Sequence, residues 1–186
     1  VCSSARTSVT ATITSTPTIT STTPNSRCDA GSVTLNATSS AGNTVWYSLP
    51  SGGTALATTN SFVTPSISLT TTYYVQATLG SCSSSRTAVI ATVNTTPIIT
   101  STTPNSRCDA GSVTLNAVAN AGTINWFSVP SGGSSVATGT SFTTPSISST
   151  TIYYVEATSG TCTSVRTAVT ATVNTTPTIT STTPSS

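Results

Sequence analysis

Apolar and polar residues alternate along this chain in short runs, each closed by a cluster of Gly, Pro, Asn or Ser. Val33, Leu35 and Ala37 alternate with Thr34, Asn36 and Thr38, so residues 32–38 read as a half-buried strand. Residues 71–78 give the clearest case, with Tyr73, Val75 and Ala77 set against Tyr74, Gln76 and Thr78. The same period predicts strands over 18–22, 44–49, 54–58, 61–64 and 87–93, the last turning Val89, Ala91 and Val93 inward. Pro50-Ser51-Gly52-Gly53 predicts a tight reversal after the strand that holds Trp46. No segment sustains a helical period. Many short strands with frequent turn signals predict an all-β fold of Ig-like (fibronectin-like) antiparallel β-sandwiches.

The chain repeats itself: laying 17–96 over 97–176 needs no gap, and 57 of the 80 positions are identical by direct count. Such a period is too long for a helical solenoid unit and suits a small β domain. Residues 1–16 match the close of a repeat, with Cys2, Arg6 and Val9 aligned on Cys82, Arg86 and Val89, and 177–186 match the opening of another. The expected organisation is two whole repeats, 17–96 and 97–176, between a C-terminal fragment (1–16) and an N-terminal fragment (177–186). The expectation from that framing is a segment of a much longer repetitive chain. Differences between the copies indicate faces. Gln76 becomes Glu156, which turns the Tyr74 side toward solvent, and Val45 becomes Asn125, so the side opposite Trp46 tolerates polarity. Trp46, Tyr73, Val75, Val89 and Val93 recur unchanged, as a shared core requires.

Composition narrows the chemistry. The chain has no His, Lys or Met, and its only acidic residues are Asp29, Asp109 and Glu156. Acid–base catalysis near neutral pH and zinc or calcium binding both need groups that are scarce here, so no enzyme, cofactor or metal is expected. A net charge of +2 is too small and dispersed to attract nucleic acid. No apolar run is long enough to span a membrane. Ser and Thr supply 81 of the 186 residues by count, and Thr, being β-branched, favours strands while its hydroxyl keeps the surface wet. Lys–Asn isopeptide cross-links are excluded by the absence of Lys.

Cysteines set the compartment. Cys28 and Cys82 have the same sequence separation as Cys108 and Cys162. In each repeat one precedes the second strand and the other follows the Tyr-Tyr strand, positions that could meet at one end of a sandwich. The expected bridges are Cys28–Cys82 and Cys108–Cys162, with Cys2 paired to a missing part of a preceding repeat. Closing such a loop is worth about 4 kcal/mol in the chain-entropy model. The alternative joins neighbouring repeats, as in Cys82–Cys108, a pair closer together in sequence. Either arrangement needs an oxidising compartment outside the cytoplasm.

Other motifs have bland readings. Arg86 and Arg166 read as strand-edge residues near Asp29 or a carbonyl, and Trp46 and Trp126 as core residues rather than sugar platforms. Asn36-Ala37-Thr38, Asn94-Thr95-Thr96 and Asn174-Thr175-Thr176 fit the N-glycosylation sequon.

The string Cys28-Asp29-Ala30-Gly31-Ser32-Val33-Thr34-Leu35, then Trp46-Tyr47, Gly52-Gly53, Thr64-Pro65, Thr72-Tyr73-Tyr74-Val75 and Cys82 through Arg86-Thr87-Ala88-Val89, resembles one bacterial group. This is the Ig-like tandem repeat of very large Bacteroidetes surface proteins and adhesins, of the gliding-associated type secreted by a C-terminal signal. Many members carry Gly after the first Cys, where this chain has Asp29 and Asp109. Ile67, six residues before Tyr73, also resembles the tyrosine corner of fibronectin-type sandwiches. The resemblance implies an exported Ig-like sandwich at the cell surface and supplies no catalytic residues. The expected function is a non-catalytic structural unit of an extracellular filament or adhesin stalk, whose partners are other copies or repeats of the same protein. The alternative is an adhesin module holding a glycan or a host-surface protein through loops such as 38–43 and 54–59, which vary most between the copies.

Overall fold

The computed structural model describes residues 1–180, which fall into two units divided between Asn94 and Thr95. Residues 1–18 form no regular secondary structure, so the fragment 1–16 makes no strand. The fragment expected over 177–186 makes none as far as residue 180, and 181–186 lie outside the described residues. The first unit is built from β1 (Ile19–Thr23), β2 (Asn25–Cys28), β3 (Thr34–Ser39), β4 (Asn43–Tyr47), β5 (Ser61–Val63), β6 (Thr71–Leu79), β7 (Cys82–Ser83) and β8 (Thr87–Asn94). The second repeats the plan with β9 (Ile99–Thr103), β10 (Asn105–Cys108), β11 (Thr114–Ala119), β12 (Thr123–Phe127) and β13 (Ala137–Thr138). It closes with β14 (Ser141–Thr143), β15 (Thr151–Ser159), β16 (Cys162–Thr163) and β17 (Thr167–Asn174).

Each unit is a two-sheet sandwich. One sheet of the first unit has the order β1-β3-β5, and the other has β2-β8-β6-β4 with β7 beside β6. The second unit repeats this as β9-β11-β14 and β10-β17-β15-β12-β13, with β16 beside β15. All pairs are antiparallel except β2 with β8 and β10 with β17, which are parallel. The chain thus runs along one sheet in β1 and crosses to the edge of the other in β2.

The inward face carries the alternation read from the sequence. Leu35, Trp46, Val75, Ala77 and Ala91 are fully buried, as are Leu115, Trp126, Val155, Ala157 and Ala171. Phe62 stacks on Trp46 at 5.3 Å between ring centroids and meets Tyr73 edge-on at 5.2 Å. Trp46 satisfies its indole by donating Nε1–H to the Thr59 carbonyl at 2.8 Å, and Trp126 donates to Gly139 at 2.9 Å. Burial raises the Tyr73 and Tyr153 hydroxyls above the ordinary phenol range. Val45 is buried, while Asn125 at its place is half-buried and donates to Thr158 Oγ1 at 3.3 Å.

Two local expectations change. The strand expected over 54–58 shrinks to a single bridge between Trp46 and Ala57, and in the second unit to β13. Strand β2 carries no sequence signal, because Asn-Ser-Arg-Cys directly after Pro24 has neither alternation nor β-branched residues. Its ladder comes from β8, a strand from the far end of the repeat's sequence.

Candidate functional site at the poles of each repeat

The register of the strands fixes two poles in each unit. β3 and β8 run toward opposite ends. The close of β3 (Ser39) lies beside Ile19, and the opening of β4 (Asn43) lies beside Thr78 at the close of β6. These residues form the N-pole, where the chain comes into the sandwich. At the other end, the C-pole, the close of β2 (Cys28) lies beside Asn94, where the chain leaves β8. Gly31 bridges Ile67 close by.

Cys28 therefore sits at the C-pole, and Cys82, paired with Leu79 past the far end of β6, sits at the N-pole. The ladders separate the two by about eleven residue steps, or roughly 35 Å at about 3.3 Å per residue. A disulfide needs Cα atoms within about 7 Å. Cys108 and Cys162 occupy the same opposed places in the second unit. The intradomain bridges Cys28–Cys82 and Cys108–Cys162 are thus corrected. Cys82 and Cys108 carry free thiols, which also excludes the Cys82–Cys108 alternative, whereas Cys28 and Cys162 are disulfide-bonded. Cys2 is free and exposed. Sequence order is not proximity here: β2 lies parallel to β8 and carries its cysteine to the end away from β7.

The C-pole is held by local polar contacts. In the first unit Arg27 curls back to donate to the carbonyls of Asp29 and Ser32, each at 3.1 Å. Gly31, at φ 152°, lies against that guanidinium, and a Cβ there would overlap it. Asp109 takes a left-handed conformation, φ 58°, which Asp tolerates better than most residues. Its carboxylate accepts from Thr176 Oγ1 at 2.6 Å and from the Thr176 amide at 3.1 Å, tying down the segment that leaves β17. The Thr176 hydroxyl first, then its amide, hold the Asp109 carboxyl below the ordinary carboxylate range.

The two equivalent arginines lie on the outer face of the larger sheet. Arg86 donates Nη1–H to the carbonyls of Leu49 (2.6 Å) and Gly52 (2.7 Å), and its guanidinium lies 3.3 Å above the Tyr47 ring centroid. Arg166 repeats this on Val129 and Gly132, above Phe127 at 3.4 Å, and pairs with Glu156 at 2.9 Å. The partners of Arg86 thus include the backbone carbonyls that the sequence allowed, and its Nε–H also donates to Gln76 Oε1 at 3.4 Å. Among the described residues, no group of three or more His, Cys, Asp or Glu is placed to hold a metal ion. Among the same residues, no helix is long and apolar enough to cross a membrane.

Two successive stretches, 15–94 and 95–175, match the family described as Ig-like domain CHU_C associated. The chain belongs to that family. The CHU_C-associated repeats also resemble solved immunoglobulin tandems, a likeness that concerns the fold alone. Against Sidekick-1 immunoglobulin domains 1–4 the identity is 15%, covering 85% of this chain and 48% of that one, with a TM-score of 0.50. This chain thus spans about half the length of that fragment. The identity is again 15% against a chain of the mouse coronavirus receptor-binding domain complexed with its murine receptor. That match covers 82% of this chain and 97% of the other, with a TM-score of 0.52. No curated protein is significantly similar to the chain in sequence. Tandem CHU_C-associated Ig-like domains are consistent with a structural or adhesion-type repeat.

Proposed function

We propose that this chain is a non-catalytic structural segment of an extracellular filament or surface adhesin stalk, with repeats at 17–96 and 97–176. One observation carries the reading: within each unit the chain comes in at one pole and leaves at the opposite one, as a serially joined spacer requires. Strands of this kind, with their loops, give about 40 Å per repeat. Two copies with 57 of 80 positions identical by count suit a spacer, in which length matters more than individual specificity. Disulfide-bonded Cys28 and Cys162 favour an oxidising, extracellular setting. Other repeats or copies of the same protein are its natural partners. Electron microscopy of native material tests the reading. A fibre or rod beaded at that per-repeat spacing, or at twice it, is expected. Single globular particles that bind on a glycan array would overturn it in favour of the binding-module alternative.

A further inference from the structure

The outer face of the larger sheet carries an apolar patch that recurs in both units. In the first unit Thr72 of β6 stands opposite Ile90 of β8, and Tyr74 opposite Ala88. In the second, Ile152 stands opposite Thr170 and Tyr154 opposite Ala168. Isoleucine and threonine have exchanged strands, yet each unit keeps one of each in the pair. Both isoleucines are 47% exposed. One exposed isoleucine alone is ordinary. Keeping one across an exchange of strands means that the patch persists between the copies where the position does not. Beside it, the half-buried Tyr74 and Tyr154 have only an alanine methyl opposite them on β8 and β17. The charges of this face lie toward its other end. Arg86 and Arg166 are committed to the reversals after β4 and β12, and Glu156 is paired with Arg166.

We propose that this face packs side by side against the same face of a second copy of the chain, the isoleucine and tyrosine of one meeting those of the other. Area argues for that occupant. Four strands about 4.8 Å apart and roughly 25 Å long give a face of about 450–500 Å². Two such faces bury about 900–1,000 Å², short of the roughly 1,200–2,000 Å² of a stable complex. A single pair of faces therefore holds weakly, and strength comes from repetition. A second copy offers the same face at each of its repeats, which a partner with one site cannot. Charge agrees with this, since two uncharged patches meet without repulsion. The chain as a whole has only five arginines and three acidic residues, and no lysine, to keep copies apart. This rests on the structural reading above and names the surface through which such segments associate laterally.

The test follows the mass of the 186-residue chain by sedimentation equilibrium, with its free thiols alkylated so that no new sulfur–sulfur link contributes. The mass is expected to rise above the 18.6 kDa of one chain as its concentration goes from about 10 µM to about 1 mM, the weak range for a contact of this size. Ile90→Asp with Ile152→Asp buries an unpaired carboxylate in each contact and should weaken association by at least about tenfold. Thr72→Ile with Ile90→Thr gives the first unit the pairing of the second and should leave association intact. All these side chains lie outside the core, so the variants keep the fold, which far-ultraviolet circular dichroism checks. A chain that stays monomeric throughout, association that survives both aspartates, or association lost in the exchanged variant would each overturn the proposal. A monomeric chain whose Tyr74 and Tyr154 ring resonances shift with added oligosaccharides would overturn it in favour of a saccharide on this face. A beaded fibre one chain thick would refute the lateral contact and leave the structural role intact, which separates the two readings.

Discussion

Removing the Arg86 side chain is the most informative single perturbation, because the second repeat supplies a built-in control. The Arg86 guanidinium holds the reversal after β4 through two carbonyl bonds and covers the Tyr47 ring. A hydrogen bond from a charged group contributes about 1.5–3 kcal/mol where water is excluded. Leu49 and Gly52 are exposed and regain water when the arginine goes, so the pair together is worth about 1–2 kcal/mol. The ring contact adds about 1 kcal/mol. Arg86→Ala is therefore expected to cost about 2–3 kcal/mol, against roughly 4–12 kcal/mol for a domain of this size. At about 4–8 °C per kcal/mol for domains this small, the melting transition of the first unit should fall by about 8–24 °C. Arg86→Lys keeps the charge but loses the flat fork, and should recover less than half of that loss. In the second unit, Glu156→Gln copies the natural Gln76 arrangement. The side chains of that ion pair are only 11% and 16% exposed, so its loss should register, at about 1 kcal/mol. Differential scanning calorimetry of the whole chain reads all three. Wild-type melting in the lysine variant would show that charge alone matters, and a shift below about 2 °C for Arg86→Ala would refute the clamp.

Four further outcomes follow from the packing and polar contacts. Leu35→Ala or Leu115→Ala, at positions with no exposure, should each cost about 2–5 kcal/mol in chemical denaturation. Gly31→Ala, which forces a side chain into the Arg27 guanidinium at a positive φ, should destabilise the first unit by more than about 1 kcal/mol, and proteolysis near 27–32 should report it. Thr44 donates to the Thr59 carbonyl (2.7 Å) and Asn60 Oδ1 (3.0 Å), whereas the second repeat has Ile124 and Thr140 at the places of Thr44 and Asn60. Thr44→Ile with Asn60→Thr should therefore be more stable than Thr44→Ile alone, by about 0.5–1 kcal/mol in a double-mutant cycle. Because the folded Asp109 carboxyl is depressed, its hold on Thr176 is fully present above the ordinary carboxylate pKa and is lost as pH falls through the depressed value. The Thr176 amide resonance should follow that titration, and Asp109→Asn should abolish it.

The inward faces were legible from alternation alone, since Tyr73, Val75 and Ala77 can bury one side of a strand only if it is extended. Trp46 was legible because so large an indole on an inner strand of a small sandwich fills its core. The poles were not legible. They depend on β2, four residues whose composition says nothing of a strand and whose ladder is supplied by β8. Without β2 in place, the spacing of Cys28 and Cys82 is compatible with contact; with it, they are at opposite ends. The arginine clamp was half legible, as a contact with a carbonyl. Its aromatic partner depended on β4 and β6 pairing Tyr47 with Tyr74, a non-local register that local pattern does not encode.

The parallel pairing of β2 with β8 also decides how a repeat answers a pull along its length. Tension on the incoming chain draws β2 toward the N-pole, while tension on the outgoing chain draws β8 toward the C-pole. The two strands are neighbours and must slide past each other, so the bonds from Asn25–Ala91 through Cys28–Asn94 are strained together and cannot open one at a time. An antiparallel pair pulled from one end would unzip bond by bond. The four residues least recognisable as a strand are the ones that make each repeat resist extension.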